Sequence, residues 1–165
     1  MAKKMLYVYK IILSVLAIVV CTFVGYKMSE KYSLRSEFFN DFYRFNREMI
    51  NQLTYFKRRI PEIILNFSCK NQFSILFDEY KEYINGKNLC LDKFWYLSLE
   101  EKELITAYFV LLGKSDATSQ LNNLNSYNEK LKNLTTDTVN EEKKYKKLYV
   151  KLGFFAGLSV FVLII

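Results

Sequence analysis

The chain has 165 residues and a formal net charge of +7, with 51% of its residues hydrophobic, 13 tyrosines and 14 phenylalanines set against five glycines and one proline. That is too rich in core-forming side chains for disorder and too poor in breakers for anything but long helices, and once apolar ends are set aside one modest domain of about 120 residues remains. Histidine is absent, which removes imidazole as general base, proton shuttle or metal ligand and with it most hydrolytic and zinc chemistries.

From Ile11 to Tyr26 the chain reads IILSVLAIVVCTFVGY without a charge. With Met5 to Tyr9 the stretch reaches about 22 residues, roughly 33 Å of helix, enough to cross a bilayer. Lys10 lies near one end, where its stem follows the apolar surface and its ammonium reaches the headgroups. Tyr26-Lys27-Met28 follows directly in place of a small-x-small cleavage site, so an uncleaved transmembrane helix over residues 5–26 is expected rather than a signal peptide.

A helical domain over 27–148 comes next. Leu34, Phe38, Phe42, Phe45, Met49, Leu53 and Phe56 recur at spacings of three and four, one apolar stripe on a helix that leaves Arg44, Arg47, Glu48 and Lys57 outside it. Pro61 suits the first turn of a short helix through Ile63, Ile64 and Phe67, because its missing N–H is not needed there. Phe73, Leu76, Phe77, Tyr80 and Ile84 mark a third helix, closed by Asn85-Gly86-Lys87-Asn88. Phe94-Trp95-Tyr96-Leu97 reads as a short extended stretch whose aromatics serve either the core or a protein partner. Ser98 with Glu101 makes a capping box for a helix along Leu99 to Leu112, which Gly113 terminates. Asp116 is an N-cap for the last helix, where Leu124, Tyr127, Leu131, Leu134, Thr138, Tyr145 and Leu148 follow nearly a heptad rhythm.

The final segment, Leu152 to Ile165, is LGFFAGLSVFVLII. It covers roughly 21 Å and approaches the bilayer thickness once Leu148 to Lys151 are added, with Lys151 snorkelling, so a second transmembrane helix is placed at 149–165. Its uninterrupted apolar periphery argues against a buried core helix. Lys143, Lys144, Lys146, Lys147 and Lys151 precede it with nothing positive after it, which places the domain in the cytosol by the positive-inside rule. Lys3, Lys4 and Lys10 against Lys27, Lys31 and Arg35 leave the orientation of the N-terminus open. The same lysines are read either as contacts to anionic headgroups, worth about 1 kcal/mol each, or as a plain solvated face, and no nucleic-acid partner is expected because no exposed stacking platform accompanies them.

Chemistry is sparse. No glycine-rich phosphate loop, nucleophile elbow, HExxH, CxxC or EF-hand pattern occurs, and Glu100-Glu101-Glu103 and Glu141-Glu142 read as solvated helix faces. Cys21, Cys69 and Cys90 read as reduced thiols packed as small hydrophobes. No cofactor or metal is expected, and no enzymatic activity. Gly153 and Gly157 have the small-xxx-small spacing that lets a neighbouring helix approach closely, a second copy of the chain being one such neighbour. The architecture expected is all-α, a membrane-rooted helical bundle with its two long helices antiparallel and its two anchors side by side.

The combination at the two ends carries a resemblance. Gly25, Met28, Tyr32 and Arg35 after the first apolar segment, then Leu112-Gly113-Lys114-Ser115-Asp116 with Ser119-Gln120, and finally Tyr145-Lys146-Lys147-Leu148-Tyr149, Leu152-Gly153-Phe154 and Gly157, resemble stage III sporulation protein AB of endospore-forming bacteria. The likeness covers nearly the whole chain and departs in the middle, where the family's Pro-Leu pair is replaced by Thr54-Tyr55-Phe56-Lys57-Arg58-Arg59-Ile60-Pro61. The resemblance implies a mother-cell component of the complex that bridges the two membranes around the forespore, with other membrane proteins of that channel and an ATPase of the same operon as partners. It also implies a soluble domain similar to the inner-membrane platform protein of type II secretion. A platform needs no active site. The competing reading is a membrane-anchored adaptor or regulator that recruits a cytosolic partner; a membrane-bound hydrolase has only surface carboxylates behind it.

Overall fold

The computed structural model describes residues 2–56, 60–67 and 71–164. Helix α1 (Ala2–Asn51) passes into a π-helical turn (Gln52–Phe56) and is followed by α2 (Ile60–Asn66), α3 (Asn71–Ile84), α4 (Leu99–Leu111) and α5 (Ala117–Ile164). Among the described residues there is no strand, and the all-α expectation holds. The chain divides into two compact units: Met1–Ser33 with Val139–Ile165, and Leu34–Thr138.

In the Leu34–Thr138 unit the α1 stripe becomes the core. Phe38, Phe42, Phe45 and Met49 are fully buried, as are Phe73 and Leu76 of α3 and Ile105 and Phe109 of α4. Their rings meet edge to face and offset, with Phe38 at 5.5 Å from Phe73 and Phe42 at 4.9 Å from Tyr108, geometries that suit the aromatic quadrupole. Two residues outside the predicted stripe join them. Phe39 is fully buried, and its carbonyl accepts a hydrogen bond from Thr135 Oγ1 of α5 at 3.1 Å. Asn46, also fully buried, donates through Nδ2 to the Leu124 carbonyl (3.1 Å) and accepts from the Tyr108 hydroxyl at Oδ1 (3.0 Å), tying α1 to α4 and α5. Burial holds the Tyr108 hydroxyl well above the usual tyrosine range, so it stays protonated as a donor.

Helix ends follow the local signals. Gly86, at φ +92°, closes α3 while its N–H bonds the Tyr83 carbonyl (3.0 Å) and Lys87 N–H bonds that of Glu82 (3.1 Å), the paired bonds of a Schellman turn. Pro61 falls in the first turn of α2, whose Ile63 and Ile64 are buried. The Ser98–Glu101 capping box is present with both bonds formed.

Several expectations need correction. Phe56 is exposed, because the wider winding of the π turn rotates it off the stripe. Ile84 is likewise exposed at the end of α3. Phe94 to Leu97 forms successive turns, with Phe94 N–H bonded to the Leu91 carbonyl and Leu97 N–H to that of Phe94, rather than an extended stretch. Phe94, Tyr96 and Leu97 thereby point into the core and Trp95 points out. Cys90 is exposed rather than packed as a small hydrophobe, and its thiol lies 3.3 Å from Asp92 Oδ2. Cys69, Lys57, Arg58 and Arg59 lie outside the described residues.

α1 and α5 are both long and apolar enough to cross a membrane, and only 11% and 6% of their apolar windows is buried. The core helix of a water-soluble protein would be covered instead.

Candidate functional site: the helix pair and the family-motif positions

Three small residues set the geometry of the unit formed by Met1–Ser33 and Val139–Ile165. A Cβ placed on Gly25 would collide with the Tyr149 carbonyl oxygen, one on Gly153 would lie 2.5 Å from the Cys21 carbonyl oxygen, and one on Gly157 would lie 2.6 Å from the Ile18 Cα. α1 and α5 therefore meet backbone to backbone, the arrangement small residues permit where lipid supplies no hydrophobic drive and packing must supply the attraction. The neighbour that the Gly153–Gly157 spacing accommodates is α1 of the same chain.

Beyond the crossing the pair is fastened by tyrosines. Tyr32 stacks on Tyr145 at 4.5 Å between ring centroids and on Tyr149 at 6.0 Å. Burial, and then the hydrogen bond with Tyr149, raises the Tyr32 hydroxyl above its ordinary pKa. Ser33 Oγ donates to Glu142 Oε1 at 2.9 Å, and Lys146 lies 3.7 Å from the same carboxylate. Glu142 is thus a bonded group of the helix pair rather than part of a solvated face. Lys143, Lys144, Lys147 and Lys151 are exposed and Lys146 is half-buried, its ammonium 5.9 Å from the Tyr26 ring.

The remaining motif positions belong to the Leu34–Thr138 unit. Arg35 Nε and Nη2 each donate to Glu101 Oε1 at 2.8 Å, while Glu101 Oε2 accepts from the Ser98 N–H at 2.8 Å. The Glu101 side chain is only 7% exposed, which overturns the expectation of a solvated carboxylate. The cap is local to Ser98 and Glu101, whereas the arginine arrives from 66 residues away, a pairing no local pattern marks. Gly113 (φ +79°), Asp116 and Gln120 build the α4–α5 turn together. The Gly113 N–H and Ser115 Oγ both donate to Gln120 Oε1, at 3.0 and 3.3 Å, and Gln120 is buried. Asp116 Oδ2 accepts from the N–H groups of Thr118 and Ser119 at 3.1 Å, the N-cap expected. A hydrogen bond from the Ser119 side chain, and after it the backbone bonds from Ser119 and Thr118, hold its carboxyl below the usual range. With the folded pKa lowered, the cap's contribution is present above the ordinary carboxylate pKa and is lost as pH falls through the depressed one.

Gly25, Tyr32, Arg35, Gly113, Asp116, Gln120, Tyr145, Tyr149 and Gly153 thus pack, cap or pair. Among the described residues no group of three or more Cys, Asp or Glu side chains converges as a metal site would require. No curated protein and no solved structure matches the chain. The family model of stage III sporulation protein AB matches residues 10–165, from the first apolar helix through the last, and the chain belongs to that family of sporulation proteins.

Proposed function

We propose that the chain is a non-enzymatic assembly platform of the sporulation channel complex, rooted in the mother-cell membrane by both apolar helices with the Leu34–Thr138 unit on the cytosolic side. The observation that carries this reading is the backbone-close crossing at Gly25, Gly153 and Gly157 between two helices whose outer faces remain apolar and exposed. A pair built that way is stable in lipid and unsuited to water. The five lysines before the last apolar segment orient it. The partners proposed are other membrane proteins of the complex and its ATPase, held by exposed positions such as Trp95, an uncovered aromatic of the kind that anchors interfaces. Deleting the gene is expected to stop spore formation after engulfment, with restoration by the wild-type gene. Normal spore yield from the deletion strain would overturn the platform.

The exposure of Lys143, Lys144, Lys147 and Lys151 supports a second reading, an adaptor held near anionic lipid. Replacing both apolar helices by unrelated spans separates the two: an adaptor keeps its function and a platform loses it.

A further inference from the structure

On one face of the helix pair an apolar groove of about 340 Å³ runs between Val20, Val24 and Met28 of α1 and Leu152 and Ala156 of α5, ending at Tyr149. From residue 20 to residue 28 the groove follows α1 for about 12 Å. A hydrocarbon chain, about 4–5 Å wide by carbon contact distances, lies along an apolar groove of that length.

The end of the groove is cationic. Tyr149 stacks on Tyr32 and Tyr32 on Tyr145. Lys31 Nζ stands 4.9 Å from the centre of the Tyr32 ring and Lys144 Nζ 5.4 Å from that of Tyr145. Both lysines are exposed, and the rings hold their ammonium groups beside the stack. Glu141, whose charge reaches Tyr32, sits a further helical turn away from the groove. The opposite face has its own groove, along Val19, Phe23 and Val150 to Tyr26, but the lysine at its end, Lys146, already faces Glu142 at 3.7 Å.

Resting on the membrane-spanning reading above, we infer that this face is a binding site for one anionic phospholipid, an acyl chain lying in the Val20–Ala156 groove and the headgroup at the tyrosine stack that Lys31 and Lys144 flank. Apolar contact supplies the tail's share and charge complementarity selects the headgroup. The site differs from a general attraction of lysines to a charged surface, because it singles out two of the lysines and one groove.

The full chain, reconstituted in bilayer discs of phosphatidylcholine with a minority of phosphatidylglycerol and then released for native mass spectrometry, is expected to retain one phosphatidylglycerol in preference to phosphatidylcholine. Lys31→Gln with Lys144→Gln is expected to lower that retention about tenfold. Lys143→Gln with Lys147→Gln, the same change in charge, is expected to leave it within about twofold. Val24→Trp, at a half-exposed position on the groove wall, is expected to expel the lipid without altering the lysines. Equal loss in both lysine pairs, equal retention of phosphatidylcholine, or a lipid-free dimer showing that a second copy covers the groove would each overturn the site. Alkaline carbonate treatment of the same discs separates the two readings: a chain that stays in the membrane yet binds the lipids alike refutes the lipid site alone, and a chain that washes off refutes both.

Discussion

Gly153→Leu is expected to force the two apolar helices apart and to abolish spore formation. The obstacle to a side chain there is backbone, the Cys21 carbonyl and the Thr22 Cα, neither of which can turn aside as a flexible side chain would. Overpacking a close contact costs about 1–3 kcal/mol in ordinary cores, and here the cost falls on the contact that holds the pair together. Gly25→Val acts on the same crossing from the other helix, against the Tyr149 carbonyl. Val19→Leu, on an exposed outer position of α1, is the neutral comparison. Thermal midpoints of the full chain in detergent micelles, together with spore counts, check both: the glycine variants should fall on both scales and Val19→Leu on neither.

Glu101→Ala carries the other large effect, a loss of about 3–5 kcal/mol in stability, as expected when one partner of a buried ion pair is removed. Three bonds go at once: two from the Arg35 guanidinium and one from the Ser98 N–H. The Arg35 guanidinium, itself only 22% exposed, loses its contact with the Glu101 carboxylate. Glu101→Gln keeps an acceptor for the Ser98 N–H and removes only the charge, so its loss should be smaller. Urea midpoints by circular dichroism on the full chain rank the two, and an Ala variant as stable as the wild type would show that the pair carries no weight.

Local chemistry made much of this fold legible in the sequence. The Ser98–Glu101 box, the Asp116 cap and the Gly86 turn are each determined within a few residues, and each formed. The α1 stripe was legible for the same reason, since three-and-four spacing specifies one helix face. Its width was not. Phe39 and Asn46 are buried because α5 covers a flank of α1 that the stripe alone leaves open, and no pattern within α1 records that contact. Phe56 failed for a converse reason, the π turn changing the helical phase after the stripe had been set. In the helix pair, the spacing of Gly153 and Gly157 announced close packing without naming its partner. That partner is α1, and Gly25 supplies the matching gap. Arg35 illustrates the general limit: its role depends on a carboxylate in a distant helix, and a single sequence holds no trace of the pairing.

Cys90 tests directly the proposal that both apolar helices root the chain with the Leu34–Thr138 unit in the cytosol. In a chain carrying Cys21→Ser and Cys69→Ser, Cys90 is the single thiol, and it is exposed between α3 and α4. The chain should remain in the membrane fraction after an alkaline carbonate wash. Cys90 should resist a membrane-impermeant maleimide in intact cells and react once the membrane is opened. Labelling in intact cells, or release of the chain by carbonate, would contradict the account.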